Sequence, residues 1–219
     1  MKKQTTAPAE QKDILVSFLS GIIDFCKKNK RGVLTAVVIL VLAAVIGACY
    51  SSHVKKVTQG SWAAYYMAQV SLLGGNEQEG FFMIDELSKK YPATPAAQYA
   101  QLLKADILYN GEDYAQAAKV YKPLVTSDNP TVATVAALSL AACQQALKDY
   151  DEAVSGMQQF IQNNPTSFAL PQAYLTMALS QELAGNKTEA INAYKQLADA
   201  YAQTYFGSMA KDKLAELQK

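Results

Sequence analysis

The chain has 219 residues, of which half are hydrophobic and 18% are charged, and its formal net charge is +1. This near-neutral total is divided unevenly, because residues 1–31 hold seven basic and three acidic side chains, a net charge of +4, so that the remainder carries −3. Nucleic-acid binding requires a basic face, and a mildly acidic main domain argues against that class of function. About 165 residues follow residue 52, enough for a single folded domain.

The N-terminal region contains two predicted segments. Residues 1–12 are polar and are expected to form a disordered tail. Residues 13–31 are expected to form an amphipathic, basic juxtamembrane segment, because apolar residues recur about every four positions and a basic cluster follows them. This segment either lies on the membrane surface or continues as a helix into the apolar stretch that follows it, and the sequence leaves both arrangements open.

The next segment, residues 32–52, contains no charged residue and is predicted to be a transmembrane helix. About 20 helical residues cover the hydrocarbon core of a bilayer. Basic residues cluster before the segment and only Lys55 and Lys56 follow it closely, so the N-terminus is expected in the cytoplasm. In a bacterium, this predicts a single-pass protein of the inner membrane with a periplasmic C-terminal domain. The alternatives are a cleaved signal peptide and lipid attachment at Cys49.

The remaining sequence is expected to be a linker, residues 53–60, and a domain of repeated helix pairs, residues 61–219. Alanines in the first helix of each pair recur at steps of 37, 36 and 37 residues. Such a period indicates an array in which each unit buries its apolar face against its neighbours. The predicted units are residues 61–92, 97–130, 134–165 and 170–203, followed by a capping helix at 205–217. The small residues predicted to allow close helix packing are Ala68, Ala105, Ala141, Ala178, Ala117, Ala153 and Ala190.

These units resemble the tetratricopeptide repeat. Residues 111–114 (Gly-Glu-Asp-Tyr) match its turn between two helices, Ala117 takes the small position of the second helix, and Pro92, Pro130 and Pro165 close three units. The resemblance implies an all-α fold, a tetratricopeptide-like helical solenoid preceded by one transmembrane helix. It implies protein binding as the function class.

No pattern in the sequence indicates catalysis or metal binding. Cys26, Cys49 and Cys143 form no CxxC motif, and His53 is the single histidine. The sequence also lacks a phosphate-binding loop and a metal-ligand cluster. We therefore expect a protein that is not an enzyme and that has no cofactor and no metal site.

The resemblance to tetratricopeptide repeats also implies a binding surface, because in such solenoids the first helix of each unit lines a concave groove. Tyrosine, leucine and amide side chains in that groove suit apolar or extended peptide segments. The tyrosines could equally serve as packing between helices, since a tyrosine buries its ring and keeps its hydroxyl wet. The residues placed in the groove are Tyr65, Gln69, Tyr99, Asp106, Tyr109, Asn110, Gln145 and Leu175, with Trp62, Leu102, Leu138, Gln172 and Glu182.

The order of tail, basic cluster, single span and repeats resembles that of the YfgM-like family of ancillary subunits of the bacterial SecYEG translocon. This resemblance implies a membrane-anchored scaffold, a translocon-associated subunit or chaperone adaptor acting on proteins that enter the periplasm. The implied partners are translocon subunits, a periplasmic chaperone of the prolyl-isomerase class and client polypeptides. The alternative is a structural envelope protein of outer-membrane assembly or cell division. Residues 87–92 (Leu-Ser-Lys-Lys-Tyr-Pro) also resemble the repeats of such proteins.

Overall fold

The structure is a computed structural model. The residues that it describes are 20, 21, 23, 25 and 27–218. The predicted tail at 1–12 and much of the juxtamembrane segment at 13–31 lie outside the described residues. The helices are α1 (Lys30–Leu73), α2 (Glu77–Lys90), α3 (Pro95–Asn110), α4 (Tyr114–Leu124), α5 (Pro130–Ala146), α6 (Tyr150–Asn163), α7 (Leu170–Leu183), α8 (Lys187–Ala200) and α9 (Tyr205–Leu217). The predicted all-α class is confirmed for the described residues, which contain no β-strand.

Helix α1 is much longer than the predicted span. It contains residues 32–52, which make it long and apolar enough to cross a membrane, and it continues to Leu73. Residues 53–60 are helical instead of forming a separate linker, because they contain no proline and no turn sequence that would interrupt the helical hydrogen bonds. The chain divides into two compact units within this stretch, between Lys56 and Val57.

Helices α1 to α8 follow one another as four pairs, and the turn inside each pair has the same backbone geometry. Gly75, Glu112, Lys148 and Gly185 occupy these turns with φ values of 81°, 62°, 66° and 80°. They are separated by the same steps of 37, 36 and 37 residues as the alanines. Glycine adopts this left-handed conformation without strain, whereas the side chains of Glu112 and Lys148 crowd the backbone there. The repeat therefore imposes its turn even where no glycine is present.

Side-chain caps and prolines define the starts of the helices that open the second and third pairs. The Thr94 hydroxyl accepts a hydrogen bond from the Ala97 amide, and Pro95 is the first residue of α3. Asn129 caps α5 in the same way, and Pro130 is its first residue. Proline suits this position because the first amides of a helix have no partner within the helix.

Small residues lie where the two helices of a pair meet. The seven alanines predicted to pack there are each at most 2% exposed. In the first pair Gly80 takes the small position of the second helix, and an added Cβ would overlap the Leu72 side chain. Large side chains fill the neighbouring space. Those at the matching position of the second helices, each at most 1% exposed, are Ile84, Tyr121, Met157 and Tyr194.

Helix α9 covers the last pair. Ala210 of α9 is buried in a core cluster with side chains of α7 and α8. The approach is close at Gly207, where an added Cβ would overlap the Tyr201 backbone oxygen, so that a glycine is required. The Thr204 hydroxyl accepts a hydrogen bond from the Gly207 amide and caps the helix.

Candidate protein-binding surface

The residues that the sequence places in a binding groove lie on α1, α3, α5 and α7, and we call the face that they form the first-helix surface. Trp62 and Tyr65 of α1 form an aromatic cluster with Tyr99 of α3. The Trp62 ring centroid lies 5.6 Å from that of Tyr65, edge to face, and 6.2 Å from that of Tyr99. Trp62 is 41% exposed, while the two tyrosines are half-buried. Because ring contacts fix its orientation, Trp62 presents a preordered apolar surface.

The carboxamide of Gln69 borders this cluster, and the Asp106 carboxylate lies nearby. Gln69 Nε2 donates a hydrogen bond to Tyr65 Oη over 3.1 Å. Burial raises the pKa of Tyr65, the hydrogen bond from Gln69 opposes that shift, and the nearby Asp106 carboxylate adds to it. The pKa therefore lies above the ordinary value of tyrosine, and the hydroxyl is neutral at physiological pH. The cluster thus offers a hydroxyl and a carboxamide to a partner, without charge.

Asp106 contributes to the packing of its own unit. One of its carboxylate oxygens accepts a short hydrogen bond from the hydroxyl of Tyr121 on α4. Tyr121 is 1% exposed, and burial together with this hydrogen bond raises its pKa. The charge-assisted bond joins α3 to α4, so that one oxygen of Asp106 is already used within the fold.

The remaining candidates differ in accessibility. Tyr109 is half-buried and packs edge to face against Tyr114 of α4, with ring centroids 5.2 Å apart. Asn110, the last residue of α3, is exposed. On the later units Leu138 is half-buried and Gln172 is exposed. Asn110 and Gln172 are therefore the most accessible polar candidates outside the aromatic cluster.

Three predicted groove residues serve packing instead. Leu175 is 6% exposed in a core cluster with side chains of α8 and α9, and Leu102 is 9% exposed in the core between α3, α4 and α5. Their assignment to the groove is wrong, because the protein itself covers both side chains. Gln145 Nε2 donates hydrogen bonds to the Thr176 carbonyl at 3.1 Å and to Ser180 Oγ at 2.9 Å. The Gln145 amide therefore joins α5 to α7 and already has partners within the fold.

Three polar contacts between helices are not predicted by the sequence. Glu182, which the resemblance placed in the groove, accepts a hydrogen bond from Tyr194 Oη at 2.6 Å and pairs with Lys213 Nζ at 3.0 Å. Lys104 Nζ lies 2.7 Å from Asp85 Oδ1, which joins α3 to α2. These partners are 12 to 31 positions apart. The sequence gives no signal for such contacts, since its spacing rules reach only three or four residues along one helix.

The accessible part of the first-helix surface is therefore concentrated in the first two units. Aromatic rings there can bury apolar groups, and hydroxyls and carboxamides can form hydrogen bonds with peptide groups. Within the described residues, no group of three or more His, Cys, Asp or Glu side chains lies close enough together to hold a metal ion. The chemistry that this surface supports is non-covalent binding of polypeptide.

Solved structures with a similar fold come from several organisms. A tetratricopeptide repeat protein from Parabacteroides merdae matches with a TM-score of 0.58 and 12% identity, over 73% of this chain and 60% of that one. The tetratricopeptide-like repeats of a putative kinesin light chain from Podosopora anserina match with a TM-score of 0.54 and 15% identity, over 71% and 83%. MamA from Desulfovibrio magneticus RS-1 matches with a TM-score of 0.52 and 14% identity, over 72% and 93%. At these identities the likeness shows a shared fold.

Comparison of the sequence with curated proteins gave no match. The family described as tetratricopeptide repeat-like domain, in contrast, matches residues 24–219. This match covers most of the chain and agrees with the helix pairs, their repeated turns and the buried alanines. The protein belongs to the tetratricopeptide repeat-like family.

Proposed function

We propose that the protein is a membrane-anchored scaffold for protein–protein interactions. The observation that carries the proposal is the preordered, partly exposed aromatic cluster of Trp62, Tyr65 and Tyr99. Tetratricopeptide arrays offer extended surfaces to partners, and aromatic side chains supply much of the binding energy at interfaces. The anchor in this proposal is α1, whose apolar part is long enough to span a membrane.

The specific role that we propose is that of a translocon-associated subunit or chaperone adaptor, as in the YfgM-like family. The order of basic cluster, apolar helix and repeats supports this assignment. Lys27, Lys28, Lys30 and Arg31 directly before the span support a cytoplasmic N-terminus. In this proposal the N-terminus is cytoplasmic and the repeats lie in the periplasm beside the inner membrane. The partners are translocon subunits, a chaperone of the prolyl-isomerase class and client polypeptides.

Anchoring lets such a surface function with modest affinity. Two proteins held in the same membrane meet at a higher effective concentration than two free proteins, so that the second contact needs little binding energy of its own. Weak contacts also dissociate quickly, because affinity is set mainly by the dissociation rate. A neutral aromatic surface is therefore suited to repeated, reversible capture of passing chains.

The test is site-specific photo-crosslinking in intact bacterial membranes. A photoreactive phenylalanine analogue, which keeps an aromatic ring, replaces Trp62 in one variant. In the matched control it replaces Met67, which lies on the opposite side of the same helix by its spacing from Trp62 and is 62% exposed. We expect adducts with translocon subunits or the periplasmic chaperone from position 62 and far fewer from position 67.

The outcomes separate the parts of the proposal. Equal yields from the two positions, or no adduct from position 62, would contradict the first-helix surface as the binding face. Adducts formed only with outer-membrane assembly or division proteins would favour the structural envelope role. A Trp62→Ala variant that retains the helical circular dichroism spectrum should co-purify less of the same partners, while Met67→Ala should leave the amount unchanged.

A further inference from the structure

Helix α6 contains a glycine that the fold does not require. Gly156 lies in the middle of this helix, where glycine is less stable than alanine. A Cβ added at Gly156 would meet no atom within 4 Å, so no neighbour excludes a side chain. The matching positions of the other second helices hold Met83, Val120 and Ala193. The array therefore lacks a side chain at a position where the structure has room for one.

The space beside Gly156 is part of a cavity of about 590 Å³. Residues of α4, α5 and α6 line this cavity, and we call it the Gly156 groove. Its volume falls within the range of ligand pockets, roughly 300–1,000 Å³. Its apolar lining includes Leu140, Met157 and Phe160, and its carboxamides include Gln144, Gln159 and Asn163.

The charge of the groove differs from that of its domain. Among the described residues that line the groove, Lys122 alone is charged, whereas the part of the chain after residue 31 carries a net charge of −3. A lysine without neighbouring acidic lining residues favours neutral or acidic ligands and disfavours basic ones. Carboxamides donate and accept hydrogen bonds, as peptide groups do. The lining therefore complements a peptide better than it complements a purely apolar molecule.

We infer that the Gly156 groove is a second docking site, which takes a bulky apolar side chain from an extended, neutral or acidic peptide segment. The apolar side chain lies against Gly156, the peptide backbone bonds to the carboxamides, and an acidic neighbour pairs with Lys122. The groove shares no residue with the aromatic cluster of the first-helix surface. It is therefore a site additional to the one on which the proposed function rests.

The test uses full-length protein in phosphatidylcholine nanodiscs and fluorescence anisotropy with synthetic peptides blocked at both ends. The first peptide has a central phenylalanine flanked by glycine, serine and two aspartates. The second has alanine in place of the phenylalanine, and the third has lysines in place of the aspartates. We expect the first peptide to bind about tenfold more tightly than either of the others, as for the loss of one interface anchor.

Filling the groove should abolish this preference. Gly156→Leu is expected to weaken binding of the first peptide by about tenfold or more, a loss typical of removing an interface hot spot. Ser155→Leu is the matched control, because Ser155 is exposed on the same helix and does not line the groove. In a Trp62→Ala background, Gly156→Leu should weaken binding of this peptide by the same factor, which separates the groove from the first-helix surface. Thermal unfolding by circular dichroism should show that Gly156→Leu is at least as stable as the parent.

A charge reversal provides a second, independent variant in case Gly156→Leu does not fold. Lys122→Glu should reverse the preference between the aspartate and lysine peptides. Lys119→Glu is the control and should keep that preference, because Lys119 is exposed on the same helix and does not line the groove. Unchanged binding by folded Gly156→Leu, or equal binding of the phenylalanine and alanine peptides, would overturn the inference. So would conversion of a dimer to a monomer by Gly156→Leu, which would assign the groove to a second copy. Displacement of the peptide by a lysophospholipid would assign it to an acyl chain and would likewise overturn it.

Discussion

Two buried tyrosine hydroxyls should make the repeat domain sensitive to alkali. Tyr121 donates to Asp106 and Tyr194 donates to Glu182, and both tyrosines are at most 1% exposed. The pKa of each tyrosine is raised well above its value in an unfolded chain. Burial is the larger cause, and the hydrogen bond to a carboxylate is the second. The folded state therefore keeps both phenolic protons at pH values at which the unfolded chain loses them.

The size of this effect follows from proton linkage. A pKa that is raised on folding contributes stability that is complete below the unfolded pKa of about 10 and is lost as the pH rises above it. At about pH 11, one unit higher, each such tyrosine lowers the free energy of unfolding by about 1.4 kcal/mol relative to neutral pH. The two together lower it by about 2.8 kcal/mol, which shifts the urea midpoint by roughly 1–2 M.

The measurement is urea unfolding of the full-length protein in mild detergent, followed by far-UV circular dichroism at about pH 8 and about pH 11. Tyr121→Phe and Tyr194→Phe should each reduce the alkaline loss by about 1.4 kcal/mol. Each also lowers stability at neutral pH by about 1.5–3 kcal/mol through the lost charge-assisted bond. Tyr66→Phe, at a position 65% exposed, is the control and should lose stability as the parent does. An alkaline loss in both phenylalanine variants as large as in the parent would refute the reasoning.

Three further predictions concern packing, turns and topology. Ala105→Leu should lower the free energy of unfolding by about 1–3 kcal/mol, because Ala105 is fully buried. Ala141→Leu should lower it by less, because Ala141 borders the cavity of about 590 Å³. Equal urea midpoints for the two variants would contradict this. Lys148→Gly should raise stability by about 1 kcal/mol by relieving the left-handed turn, with Lys148→Ala giving no such gain. Protease added to bacterial spheroplasts should remove the repeat domain and leave a small anchored fragment, and complete protection would contradict a periplasmic domain.

The repeat made much of the fold predictable from one sequence. A single helix pair would give ambiguous assignments, but the steps of 37, 36 and 37 residues align four copies of the same position. The seven alanines aligned in this way are all buried, and the left-handed turns follow the same steps although only Gly75 and Gly185 carry the expected residue. Periodicity therefore identifies both the helices and the side chains at their closest contacts.

The residues of the binding surface are less predictable than the fold. A family pattern assigns a whole helix to the surface, but some side chains of that helix pack against neighbouring helices instead. Leu102 and Leu175 lie on first helices but are turned into the core, and the Gln145 amide bonds to the next first helix. The continuation of α1 through residues 53–60 also differs from the predicted linker. The absence of proline permitted a helix there, but apolar periodicity, the signal used to assign helices, is weak in a polar stretch.

Whether the first-helix surface and the Gly156 groove act separately can be decided by combining their variants. Trp62 contacts Tyr65 and Tyr99, and neither of these tyrosines lines the groove. Sites without shared partners have additive free energies, so the factors by which Trp62→Ala and Gly156→Leu reduce partner recovery should multiply in the double variant. The measurement is co-purification of the same membrane partners with each single variant and with the double variant, after equal helical content has been shown. A double variant no worse than the more defective single variant would mean that one continuous polypeptide must engage both sites at once, and the two surfaces would then form a single extended binding site.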